Sequence, residues 1–150
     1  GHTSAAVIRV VLEAATRLIK SEVTSAPILQ SWHALVDYCR ATMGHLTKEN
    51  FRVIYLNRGN MVVADELQET GTVDETPIYP REIAKRALLH DAAAVVIAHN
   101  HPSGVVAPSA ADIVATEKLV RSLAVLRIKL HDHIIVSCTG YFSFKDNGLL

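Results

Sequence analysis

The sequence predicts an α/β domain, a mixed sheet flanked by helices in three layers or close to it. Three observations lead there. Helical and strand-like periodicities follow one another in the order helix, helix, hairpin, helix, strand, helix, strands. The run from Ala92 to Ala98 is apolar at every position, as in a strand covered on both faces. The helical segments carry one apolar stripe each, which gives each a single face to lay on a sheet.

Taken in order, the first helix is expected behind Thr3 or Ser4 as cap. Val7, Val11, Ala15, Leu18 and Ile19 fall at helical spacing, and the helix should end near Lys20. Glu22 to Ile28, with Pro27, reads as a linker, so residues 1–26 form an appendage and 27–150 the main domain. Gly1-His2 reads as an expression scar, and His2 carries no mechanistic weight. Ser31 can cap a second helix with Leu35, Val36, Cys39 and Met43 on its apolar side, and Gly44 can stop it. Phe51 to Leu56 is rich in β-formers, Asn57-Arg58-Gly59-Asn60 is turn chemistry, and Met61 to Leu67 returns as the second arm of a hairpin.

A polar loop through Gly71 and Pro77 follows. Pro80 suits a first helical turn, with Ile83, Ala84, Ala87 and Leu88 as the buried stripe. After the Ala92–Ala98 strand, Ser109 opens a helix with Ile113, Thr116, Leu119, Val120 and Leu123 facing inward. Arg127 to Leu130 and His133 to Val136 give one or two strands, and Tyr141 to Phe144 adds a final edge. Strand order is not readable from this pattern.

At 150 residues the chain can bury one continuous core, and its apolar content excludes a disordered chain. Fifteen basic residues balance fifteen acidic ones, which weighs against a dedicated nucleic-acid binder while leaving a local basic patch open. Cys39 and Cys138 lack metal-knuckle spacing and suggest buried thiols in a reducing compartment. No apolar run reaches membrane-spanning length, and no signal-peptide pattern opens the chain. A cytoplasmic protein is expected.

Chemistry concentrates in His99-Asn100-His101-Pro102-Ser103-Gly104, followed by Ser109 and Asp112. In an extended segment His99 and His101 point to the same side, so both can reach one ion. Asp112 falls in the first turn of a helix whose start returns beside the end of that strand. Two imidazoles and a carboxylate suit a catalytic Zn²⁺ with one open position, where a water is acidified to a pKa of about 7. A nearby Glu could carry its proton, and Ser109 could donate to a developing oxyanion. The rival reading is structural: Ser109 and Asp112 also have the spacing of a helix capping box. The two readings are compatible, because a capping residue can still face a site.

The pattern His-x-His, seven residues, Ser, two residues, Asp resembles the JAMM (MPN+) metalloprotease motif. The stretches Glu49-Asn-Phe-Arg-Val-Ile-Tyr-Leu-Asn57, Gly71-Thr-Val, Tyr79-Pro-Arg-Glu82, His99-Asn-His-Pro-Ser-Gly104, Pro108-Ser109 and Asp132-His-Ile-Ile135 resemble the RadC branch of that superfamily, over about residues 30 to 145. The resemblance implies a three-layer JAMM/cytidine-deaminase-like fold and one Zn²⁺ per chain held by His99, His101 and Asp112. It implies Ser109 as oxyanion stabiliser and an upstream Glu as general acid/base, best matched by Glu49, with Glu66 and Glu69 as runners-up. The implied activity is metal-dependent hydrolysis of an amide or isopeptide bond in a peptide or protein conjugate. A homodimer is compatible with it. The competing readings are a DNA-repair-associated accessory role and a non-catalytic interaction domain whose metal holds its loop. The RadC pattern includes an upstream helix-hairpin-helix region outside these residues, so its DNA contacts are not carried over.

Other residues say less. His131 and His133 flank Asp132 and could form a second ligand pair, although structural hydrogen bonds from Asp132 and His133 are the better expectation. Pro102 and Gly104 shape the ligand loop. Arg81 is expected in a surface salt bridge, Glu82 at a helix start, and Trp32 as a packing anchor. His33, His45 and His90 are expected to be structural or exposed.

Overall fold

The computed structural model describes residues 1–68 and 78–150. Among these described residues, four helices and five strands follow in the order α1 (His2–Ser25), α2 (Trp32–Met43), β1 (Phe51–Leu56), β2 (Val62–Gln68), α3 (Pro80–Leu89), β3 (Ala94–Asn100), α4 (Ala110–Val125), β4 (Lys129–Val136) and β5 (Tyr141–Ser143). The strands form one mixed sheet in the order β2-β1-β3-β4-β5. β1 runs antiparallel to both β2 and β3, β3 and β4 are parallel, and β5 returns antiparallel to β4. The parallel pair requires a crossover, and α4 supplies it. The polar loop expected through Gly71 and Pro77 lies outside the described residues.

Helices cover both faces of the sheet, as the α/β reading predicts. On one face Leu35, Val36, Cys39 and Met43 of α2 pack with Ile54, Leu56, Val96, Ala98, Ile134 and Val136. On the other, Ile83 and Ala87 of α3 and Leu119 and Leu123 of α4 pack with Phe51, Val53, Tyr55, Val95 and Ile97. The central strand β3 is buried at every residue because it contributes alternate side chains to the two cores.

Several local expectations change. α1 runs to Ser25 rather than stopping near Lys20, starts at Gly1 without a side-chain cap, and leaves residues 1–15 exposed. Its apolar spacing is real, yet Val7, Val11 and Leu18 face outward; Ile19 and Val23 make the contact with α2's core. Ser31 does not cap α2 with its side chain but turns toward the carbonyls of Val23 and Pro27. Gly44 ends α2 with φ −62°, so left-handed freedom is not its reason for being there. A Cβ at this position would sit 2.7 Å from Arg40 O and 2.8 Å from Ser137 O, so only a bare Cα fits between α2 and the loop after β4. Leu88 is exposed instead of completing the α3 stripe. Cys39 is buried, whereas Cys138 is exposed, and both are free thiols.

β4 is one strand, and it carries a bulge that matters for the site. Val95 pairs with Leu130, but the next residue, Val96, pairs with Asp132, which leaves His131 as the extra residue. Without the bulge His133 would share the α2 face with Ile134's neighbours across the sheet. With it, His133 pairs with Ile97 and joins the α3/α4 face. His131 therefore parts from His133 and meets Asn60 Oδ1 at 2.7 Å.

Candidate metal centre

The site grows from the end of β3. Val95 and Ile97 point into the α3/α4 core, so the two-residue period places His99 next on that face. His101 lies just beyond the strand, but its N–H still bonds to Val136 O at 3.0 Å and continues the β3–β4 ladder. Both imidazoles accordingly point to one side, with 3.0 Å between their Nε2 atoms. The chain then turns: Gly104 N–H returns to His101 O at 3.0 Å with φ +86° at Gly104, a conformation that favours glycine. His101 Nδ1 meets the carbonyl oxygen of Val105 at 2.7 Å.

The start of α4 brings the third group. Ser109 Oγ accepts from Asp112 N–H at 3.0 Å, and Ser109 N–H donates to Asp112 Oδ2 at 2.8 Å, a reciprocal capping box. The box orients the Asp112 carboxylate so that Oδ1 is 3.4 Å from His99 Nε2 and Oδ2 is 3.5 Å from His101 Nε2. The Asp112 side chain of the capping box is thus also the candidate ligand. Ser109 Oγ accepts within the cap and keeps its own proton to donate.

These groups suit a metal ion. One ligand atom each from His99, His101 and Asp112 lies within 4.8 Å of the others. A tetrahedral ion with bonds of about 2.0–2.2 Å separates its ligand atoms by about 3.3–3.6 Å, close to the spacings found here. The carbonyl of Val105 can only accept, so His101 Nδ1 carries the proton and Nε2 turns a lone pair toward the cluster. Burial opposes charge on Asp112, but the neighbouring His101 and His99 rings, in their protonated forms, outweigh it and hold the carboxyl well below its usual range. The group is therefore an anion at neutral pH, the form a metal needs. The Asp112 carboxylate in turn favours the protonated form of His101 and raises its pKa, against the lowering effect of burial.

A family model for the RadC-like JAB domain matches residues 29–149. The chain belongs to the RadC family. It is also 47% identical over 143 residues to a UPF0758 protein of Rhodobacter capsulatus, a match covering 95% of this chain and 67% of that relative.

Within this RadC-like domain Glu49 is brought to the cluster from the other side. β1 pairs with β3 so that Phe51 lies opposite His99, and Glu49 stands two residues before Phe51. Its Oε1 is 3.9 Å from His101 Nε2. Glu66 is engaged elsewhere: it faces α3, where Arg86 donates to it and His90 Nε2 is 2.6 Å away. Glu69 lies outside the described residues.

Three residues of the RadC-like site escaped sequence reasoning or were only glimpsed by it. Asn100, between the two histidines, points to the α2 face and is fully buried. It accepts from Asn50 N–H at 2.7 Å and donates to the carbonyls of Lys48 at 3.0 Å and Leu46 at 3.3 Å, thereby holding the segment that carries Glu49. His133 Nε2 is 2.7 Å from His99 Nδ1, and Thr116 lies behind His133. A polar residue at the end of a wholly apolar strand was the available signal for Asn100. For His133 the bulge hides the signal. Asp132 makes structural bonds, as expected, accepting from the backbone N–H groups of His133 and Lys145 and from Ser143 Oγ.

Proposed function

We propose that this chain is a zinc-dependent hydrolase that cleaves an amide or isopeptide bond in a peptide or protein-conjugate substrate. The observation that carries the reading is the convergence of His99, His101 and Asp112 with the Glu49 carboxylate 3.9 Å from His101 Nε2. Bound by the three ligands, zinc supplies Lewis acidity that lowers the pKa of a water to about 7. Glu49 accepts a proton from the attacking water and passes it to the leaving nitrogen. Ser109 donates its hydroxyl proton to the oxygen of the scissile carbonyl as charge develops there. Asn100 and the capping box keep Glu49 and Asp112 from drifting, which preserves the geometry that a proton transfer needs. The free thiols of Cys39 and Cys138 support a reducing, cytoplasmic setting.

The test combines metal content with turnover. About one zinc per chain is expected, lost in His99→Ala and Asp112→Ala. Glu49→Gln should keep zinc and lose cleavage of peptide and isopeptide-linked probes. Protein that takes up no zinc when zinc is supplied overturns the reading. Zinc binding without cleavage of any probe by the wild type reduces it to a non-catalytic interaction domain. A titration with DNA at several salt concentrations addresses the repair-accessory reading, which requires a steep salt dependence.

A further inference from the structure

The mechanism proposed above uses neither His133 nor Thr116, yet both line up behind His99. His133 Nε2 is 2.7 Å from His99 Nδ1, and His133 Nδ1 is 2.7 Å from Thr116 Oγ1. Thr116 Oγ1 is in turn 2.6 Å from the backbone carbonyl oxygen of Asp112. His99, His133 and Thr116 are all buried, and the ring of Phe144 stacks on His133 at 4.4 Å between centroids. The β4 bulge is what delivers His133 to this position.

We propose that this row is a tautomer lock, in which the single hydroxyl proton of Thr116 decides which nitrogen His99 presents to the metal. A carbonyl oxygen has no proton to give, so the contact between Thr116 and Asp112 O carries the proton of Thr116. With that proton committed, Thr116 Oγ1 can only accept from His133 Nδ1–H. No carboxylate bonds to the His133 imidazole among the described residues, and a buried imidazole without an anion partner stays neutral. A neutral imidazole has one N–H, so His133 Nε2 is an acceptor. The proton between the two rings then belongs to His99 Nδ1. His99 Nε2 is left with a bare lone pair on the side of His101 and Asp112. Thr116 stands one helical turn after Asp112 in α4, so the lock and the third ligand move as one piece.

His133 and Thr116 are positioning residues in this account. The role rests on the metal reading of the site, but the tautomers belong to the metal-free chain and can be measured there. The experiment is long-range proton–nitrogen NMR of the imidazoles in the metal-free full chain at about pH 8, above the ordinary histidine range. The expected result is Nδ1–H on both His99 and His133. Thr116→Val keeps the side-chain shape without the hydroxyl and should lose the single tautomer at both rings. Its zinc affinity, read by chelator competition, should fall about 10–100-fold. Thr116→Ser should recover both properties, which a purely packing role of Thr116 does not predict. Nε2–H on either ring of the wild type overturns the lock, even if Thr116→Val fails to fold. Unchanged tautomers and zinc affinity in Thr116→Val overturn it as well. Wild type with the expected tautomers but no affinity for zinc leaves the lock standing and sinks the hydrolase reading instead.

Discussion

The side-chain oxygen of Asn100 accepts a 2.7 Å hydrogen bond from the backbone N–H of Asn50, 50 residues earlier in the chain. The amide's other end donates to the carbonyls of Lys48 and Leu46. One buried amide thus joins the strand of the candidate ligands to the segment that presents Glu49. Asn100→Asp removes both donor bonds and sets a carboxylate against two carbonyls, and should cost about 2 kcal/mol in urea unfolding. His99, His101 and Asp112 do not depend on that segment. Zinc content should therefore stay at wild-type level while turnover falls, and equal loss of both would refute the division of labour.

Ser109 has a structural and a chemical role that substitution can separate. Ser109→Ala removes the acceptor for Asp112 N–H and should lower stability by about 1 kcal/mol. Ser109→Asp restores a capping oxygen but has no proton to donate at neutral pH. Stability should recover in Ser109→Asp, while turnover stays about a hundredfold down in both variants. Full activity in either variant removes Ser109 from the mechanism.

Asp132 gives a pH signature. Burial raises its pKa above the ordinary carboxylate value, even though Ser143 Oγ and the N–H groups of Lys145 and His133 favour the anion. A raised acid pKa is a cost to the folded state, fully present above the folded pKa and gone below the unfolded one. Asp132→Asn removes this titration. Relative to wild type the variant should be better placed at pH 7 than at about pH 4, where wild type has recovered part of the difference. Urea midpoints at the two pH values, with the gap narrowing as pH falls, are the expected observation; a gap that widens contradicts the sign.

Gly44→Ala should destabilise although its backbone is helical. At φ −62° alanine would normally help by restricting the unfolded chain. Here the added methyl meets the backbone oxygens of Arg40 and Ser137 at 2.7 and 2.8 Å. Moving backbone to admit it should cost about 1–3 kcal/mol. A variant as stable as wild type would mean that α2 and the loop after β4 separate freely.

The convergence of the candidate ligands was legible because its geometry is local. His99 and His101 share a side through the two-residue period of an extended chain, and Ser109 and Asp112 meet through the first turn of a helix. The approach of Glu49 to the cluster was legible only through family resemblance, since no local rule connects it with a residue 50 positions away. Glu66 was a runner-up in the sequence, and only its bonds to Arg86 and His90 show where it is engaged.

The order of helices and strands, the burial of β3 and the candidate ligands followed from the amino-acid sequence, because periodicity and short spacings act within one element. Tertiary structure decided the rest. Pairing of β1 with β3 put Glu49 beside His101. A one-residue bulge in β4 turned His133 from one face of the sheet to the other and set it behind His99. Register and bulges depend on how strands of distant sequence settle against each other, and a slip of one residue reverses every side chain beyond it.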